Sequence, residues 1–221
     1  MPEVARRIMA EAPGIPALEP LNTPLYDTQT YPLAGVASLT YFAAGLGVRT
    51  LRETNVVIAG ALPNPQQFHI YGVQIVMSMM ATANAGAAAL PGPLTDQSAI
   101  IDNSFFRLHI GTKSYIEVAT VFIPSGHGLV GSAFSTVGAR EMASFHNGVA
   151  HQNNYYDVTV KVGHQRKPIH LPPQQNFRGE LVFPGIAPAV TVNPIIGGVP
   201  QLGMPIRVFL LGIGSDAAIW N

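Results

Sequence analysis

Along most of this chain apolar and polar residues alternate with a period of two, the spacing of a half-buried strand. Residues 106–122 give the strongest case. Phe106, Leu108 and Ile110 alternate with Arg107 and His109, and Gly111-Thr112-Lys113-Ser114 then supplies a turn that opens on glycine. On the return Ile116, Val118, Thr120 and Phe122 share one face, opposite Tyr115, Glu117 and Ala119. Pro124 and Gly126 stop the run, because proline cannot donate to a ladder. The pattern predicts a hairpin.

The same period recurs on both sides of it. Residues 38–42 alternate with Leu39 and Tyr41 on one face, and 54–60 is a short β-branched run closed by Pro63 and Pro65. In 68–77, Tyr71, Val73, Ile75 and Met77 oppose Gly72 and Gln74; in 156–162, Tyr156, Val158, Val160 and Val162 alternate without error. Residues 177–183, 189–192 and 206–213 complete about nine predicted strands, each bounded by Gly, Pro or Asn. Val158, Val160, Ile206 and Val208 are expected to face inward together.

The front of the chain reads differently. Pro2, then Val4, Ile8 and Met9 set against Arg6, Arg7 and Glu11, predict a short amphipathic helix over 2–12. Pro13, Pro16, Pro20 and Pro24 make 13–30 an extended arm, expected to lie on the body of its own domain or reach a neighbouring copy. The division expected is an arm over 1–30 and one β domain over 31–221. Two long small-residue stretches, 80–98 and 124–154, read as loops for function or partners, with one helical turn around 139–145. Many short strands with long excursions suit an all-β sandwich, and a single jelly roll fits the count.

Composition changes what such a domain is for. Charged residues are 11% of the 221, against about 25% in an ordinary soluble domain. A surface so short of charge is expected to be covered by partners, in the first place copies of the chain itself. Net charge is zero, and only Arg6-Arg7 and Gln165-Arg166-Lys167 cluster, so direct sequence-specific nucleic-acid binding is not expected. The absence of cysteine excludes disulfides and thiolate chemistry. No apolar stretch has the length of a secretion signal or a membrane span, which predicts a protein soluble when made, in a cytoplasm.

Candidate chemistry is thin. His146 and His151 stand five apart in "FHNGVAHQNN", with Asp157 downstream; His127 lies between glycines, and His164 and His170 flank a turn. The HxH pair of cupin metal sites does not occur, and each histidine also reads as a plain surface or interface residue. "SGHGLVGSAFS" lacks the second glycine of a nucleophile elbow. Glu117, Glu141, Asp157, Glu180 and Asp216 are scattered, with no acid pair close in sequence. No residue is therefore given a catalytic, cofactor or metal role, and no enzymatic activity is expected.

Three stretches in order, "FRLHIGTKSYIEVATVFIPSGHGLVG", "YYDVTVKVGHQRKPIHLPPQQNFRGELVFP" and "MPIRVFLLGIGS", together with "TPLYDTQTYPLAGVASLTYF" at the front, resemble the major capsid proteins of tailless icosahedral bacteriophages built from upright jelly rolls. The likeness runs over roughly residues 23–215 and consists of strand and turn patterns. It implies a structural virion protein, made in the host cytoplasm and located in the capsid. Its copies would form a trimer or larger cyclic capsomer, with a second capsid or vertex protein and an internal membrane as further partners. The chain is short beside relatives that carry two jelly rolls. The alternative is a cupin-like jelly-roll metalloenzyme or a carbohydrate-binding module using the His146/His151 loop.

Overall fold

A computed structural model of the chain describes residues 18–21, 23–77, 92–125, 129–134, 142–147, 154–162, 164–185, 187–190, 195–196, 199–200 and 203–217. Its strands in chain order begin with β1 (Leu18–Leu21), β2 (Leu25–Pro32), β3 (Ser38–Tyr41) and β4 (Gln67–Met77). Helix α1 (Gly92–Asp102) precedes β5 (Phe105–Ile110) and β6 (Lys113–Ala119), and β7 (Leu129–Phe134) and β8 (Met142–Asn147) pair with each other. Then come β9 (Tyr156–Asp157), the hairpin of β10 (Val160–Val162) with β11 (Gln165–Lys167), β12 (Ile169–Leu171) and β13 (Phe177–Val182). The small pair β14 (Ile195–Ile196) and β15 (Val199–Pro200) precedes the long β16 (Gly203–Ala217).

Two antiparallel sheets carry the core. One runs β1-β16-β4-β12, with β2 also on β16 and β9 also on β4; the other runs β3-β13-β5-β6. Tyr31, Ile70, Val73, Ile75, Ile206, Val208 and Leu210 from the first sheet meet Leu39, Tyr41, Phe106, Leu108 and Leu181 from the second in one buried cluster. Each such large side chain contributes about 1.5–3 kcal/mol by leaving water. The chain is all-β apart from α1 and a 3₁₀ turn at Thr120–Phe122, among the described residues. No described helix is long and apolar enough to cross a membrane.

One irregularity sets the phase of the first sheet. Leu211 pairs with Gly72 but Gly212 pairs with Ile70, so Tyr71 is an extra residue on β4, a bulge. Phe68 and Ile70 face the core before it, and Val73, Ile75 and Met77 after it. Tyr71 was expected on their face; the bulge takes it out of register, and its ring meets Tyr155 edge-on at 5.4 Å. A Cβ on Gly212 would lie 2.4 Å from the His69 carbonyl oxygen, so only glycine allows this close approach.

Several expectations are corrected. The stretch 13–30 is not an arm from residue 18 onward: β1 and β2 both pair with β16, and β2 crosses residue 30. Pro20 is tolerated because β1 is an edge strand, and Pro24 falls between the two strands. The expected helix over 2–12 lies outside the described residues. Residues 54–60 form turns with isolated bridges, not a strand, because their backbone groups bond into the surrounding loop, Leu46 N–H to Val56 O and Asn55 N–H to Tyr26 O. Ala189 and Val190 are irregular, Val190 N–H bonding to Leu33 O at 2.9 Å; 191–192 lie outside the described residues.

Within 80–98 the helix α1 begins at Gly92; Pro93 suits a first helical turn, where its missing N–H costs nothing. From Met142 on, the segment expected to hold a helical turn is strand β8. The central hairpin turns on Gly111 and Thr112 alone, with Gly111 at φ 59°. Its second strand ends at Ala119, and Thr120 is buried against Ser104, whose hydroxyl it accepts at 2.8 Å. Phe122, expected to share one face with Ile116, Val118 and Thr120, is therefore carried out on the 3₁₀ turn at 68% exposure. The run 156–162 is broken because Thr159 N–H and Oγ1 both donate to Asp157 Oδ1, at 2.9 and 2.6 Å, a local turn that competes with the ladder. Val158 is buried as expected, but Val160 is 58% and Val162 53% exposed. The expected single strand is two short ones, Tyr156–Asp157 and Val160–Val162; Val158 between them joins the core, and the apolar face of β10 does not.

Candidate self-association surface

The segment 45–60 is a loop held down by polar groups and apolar on its outside. Asp27, fully buried on β2, accepts Phe42 N–H at 2.6 Å and Thr28 N–H at 3.0 Å and pairs with Arg49 at 3.3 Å. Arg49 also donates to Gln29 Oε1 at 2.9 Å. Asn55 is bonded at both ends of its amide, accepting Tyr26 N–H and donating to Pro24 O, each at 2.8 Å. Glu53 accepts Thr50 N–H and its hydroxyl at 3.0 Å, which draws the Glu53 carboxyl below its ordinary range. The Tyr26 hydroxyl donates to Leu51 O. On this fixed frame Val48 stands 87% and Leu51 66% exposed, with Val57 and Ile58 exposed beside them in sequence. Large apolar side chains presented on a preordered loop lose little further entropy on contact, which is what an interface anchor needs.

A second apolar region lies at the open side of the sandwich, where β12 and β6 are the edge strands of the two sheets. A groove of about 630 Å³ there is lined by Ile110, Tyr115, Val160, Val162, Ile169 and His170 among others. Val160 and Val162 share one face of β10 and both line it, which accounts for their alternation with Lys161. Tyr115 is unpaired at the register shift between Leu108 and His109 and carries Lys113 Nζ over its ring at 4.9 Å. Phe105, Val121 and Phe122 are also exposed.

The carboxylates Glu117, Asp157 and Glu180 are each paired structurally. Glu180 accepts Arg178 Nε at 2.7 Å and faces His109 Nε2 at 3.6 Å, which is too long for a hydrogen bond. Arg107 donates to Glu117 at 2.8 Å. Asp157 is bonded by Thr159 and paired with Arg166, and its carboxyl is held below the ordinary range by those bonds and that charge against a desolvation that opposes them. Glu117 and Glu180 are thus each tied to an arginine and not to each other. Glu141 lies outside the described residues, as do His127 and His151; His146 sits on β8 opposite Val130, and Asp216 on β16 opposite Glu19. The His146/His151 constellation therefore falls outside what the structure describes. His164 is exposed in the β10–β11 turn. No group of three His, Asp or Glu side chains that could hold a metal ion occurs among the described residues.

One constellation was not visible in the spacing. His69 on β4 stands directly opposite His170 on β12, ring centroids 4.8 Å apart and tilted by 32°. Burial lowers the pKa of both rings, and the charge of His170 lowers that of His69 further. A hundred residues separate them in sequence, so only strand register could have paired them. No protein-family model, no curated protein and no solved structure matches the chain.

Proposed function

We propose that the chain is a structural virion protein, a capsid subunit folded as a single jelly roll that assembles with copies of itself into a shell. The jelly-roll reading is supported by which strands pair. Taking β2, β3, β4, β5, β6, β12, β13 and β16 as eight strands in order, the first lies beside the last, the second beside the seventh, the third beside the sixth, and the fourth beside the fifth. That is one long antiparallel hairpin, wound so that its strands alternate between two sheets, the arrangement of viral capsid, lectin and cupin domains. The fold leaves the function open among these.

The observation that carries the shell reading is the set of large apolar side chains in solvent, above all Val48, Leu51, Val57 and Ile58 on their braced loop, on a chain with only 11% charged residues. A monomer gains nothing from holding a loop rigid to expose valine and leucine; a subunit that docks on its neighbours does. Stable contacts of this kind bury at least about 1,200 Å² and close by symmetry, so a trimer or larger ring is the expected capsomer. The capsid resemblance leaves room for a second capsid or vertex protein and for an internal membrane as further partners, and direct sequence-specific binding of nucleic acid is not expected. The protein is then made in a host cytoplasm and resides in the capsid.

Analytical ultracentrifugation of the full chain at low and moderate salt tests this, alongside a Val48→Ser, Leu51→Ser variant. Multimers that persist in moderate salt and weaken in the variant are expected, because an apolar contact between neutral copies is little screened. A monomer at high micromolar concentration in both salts overturns the proposal.

A further inference from the structure

The chain carries a cluster of ligating side chains that the shell reading does not use. His69 and His170 are partners in the β4–β12 register, on neighbouring strands, with their rings on the side of the sheet away from the core residues Phe68, Ile70, Ile169 and Leu171. The backbone therefore fixes both side chains at one height on one face. Their centroids, 4.8 Å apart, are nearer than those of the other ring pairs among the described residues, and no hydrogen bond engages either imidazole among those residues. His170 is exposed and opens on the groove beside β10, so solvent reaches the pair.

Imidazole is a good ligand only when neutral, and it suits Zn²⁺, Cu²⁺ and Ni²⁺ more than Mg²⁺ or Ca²⁺. A first-row ion needs each nitrogen at about 2.0–2.1 Å. Imidazole χ2 has broad wells, so rotation of the two rings can bring one nitrogen of each toward a common point. The directly opposed register is what allows this without moving the backbone. Lys167 on the neighbouring hairpin lines the groove, and no carboxylate lines it.

We propose that His69 and His170 together form a two-histidine site for a divalent first-row transition-metal ion, which clips the edge strand β12 to β4. With two protein ligands, the remaining coordination positions are open to water or to a ligand from outside the chain. This site is independent of the shell reading, and its failure would leave that reading untouched.

The test is isothermal titration calorimetry of NiCl₂ into the full chain, produced without a polyhistidine tag, with near-ultraviolet circular dichroism confirming that each variant is folded. One Ni²⁺ per chain is expected, weakened at least about tenfold by His69→Gln or His170→Gln, since losing a direct ligand costs no less than losing a group that supports one. The His146→Gln, His151→Gln double variant should bind as the parent does. Binding unaffected by either single substitution, or lost only in the double variant, overturns the site. Should a single variant fail to fold, the unmodified chain decides: trace Ni²⁺ should broaden the imidazole NMR signals of His69 and His170 before those of any other histidine, and a different order overturns the proposal.

Discussion

Asp27 Oδ2 accepts the backbone N–H of Phe42 at 2.6 Å, so a carboxylate at zero exposure holds a phenylalanine in left-handed backbone, φ 66°. A bulky residue resists that conformation. The bond, with the Arg49 pair beside it, ties β2, the end of β3 and the apolar loop into one unit. Removing the carboxylate leaves the buried Phe42 N–H without its acceptor and Arg49, which keeps its bonds to Gln29 and Thr28, without its counter-charge. Asp27→Ala should cost about 3–5 kcal/mol, read from urea midpoints.

The same group gives a pH dependence. Burial, the largest influence, raises the Asp27 pKa above its ordinary 3.8, against the lowering effects of Phe42 N–H and Arg49. Between the unfolded and folded pKa the folded chain binds more protons, so the contribution of Asp27 to stability falls as pH rises through that window. Urea midpoints of Asp27→Asn, followed from about pH 4 to 7, should lack this component of the slope. An identical pH profile for the parent and the variant would refute it.

Tyr41 is fully buried and its hydroxyl has no hydrogen-bond partner; desolvation raises its pKa well above 10.0. Tyr41→Phe removes an unpaired polar group and keeps the ring. Thermal unfolding should show a gain of about 1 kcal/mol.

Val208 and Val160 share the period-2 pattern and differ in what they face. Val208→Asp should cost at least about 3 kcal/mol, as an unpaired buried charge does. Val160→Asp should stay within about 0.5 kcal/mol. Equal losses for the two would place Val160 in the core.

Gly212→Ala drives a methyl into the His69 carbonyl and the Phe68 ring, each 2.4 Å from the new Cβ. About 2–3 kcal/mol of destabilisation is expected. Gly185→Ala, with nothing within 4 Å, should be close to neutral in the same measurement.

Strands that bury one face were legible in the sequence: Leu39 and Tyr41, Phe106 to Ile110, and Ile206 to Leu210 all point where their alternation predicts. Alternation cannot say which apolar surface a strand serves, and Val160 and Val162 obey the period while lining an open groove. Prolines at 13, 16, 20 and 24 read as an extended arm rather than a folded element, yet β1 is an edge strand, where proline is tolerated. Pro93 was the available signal for α1. Asp27 could have been singled out as the one acid at an inward position of the alternating "LYDTQTY", but its bond to Phe42 and the His69–His170 pairing depend on strand order, which local spacing does not encode.

Because β16 closes the first sheet between β2 and β4, a growing chain must wait for residues 203–217 before either strand gains that neighbour. The β5–β6 hairpin is local and forms early, whereas Leu25 finds its partner only in Leu210, almost the whole chain away. Such distant pairings fold slowly and leave strand edges open meanwhile. Emerging from the ribosome, this protein therefore spends its longest unfinished interval with its first sheet unzipped. That interval is when holdase chaperones would matter most to its yield.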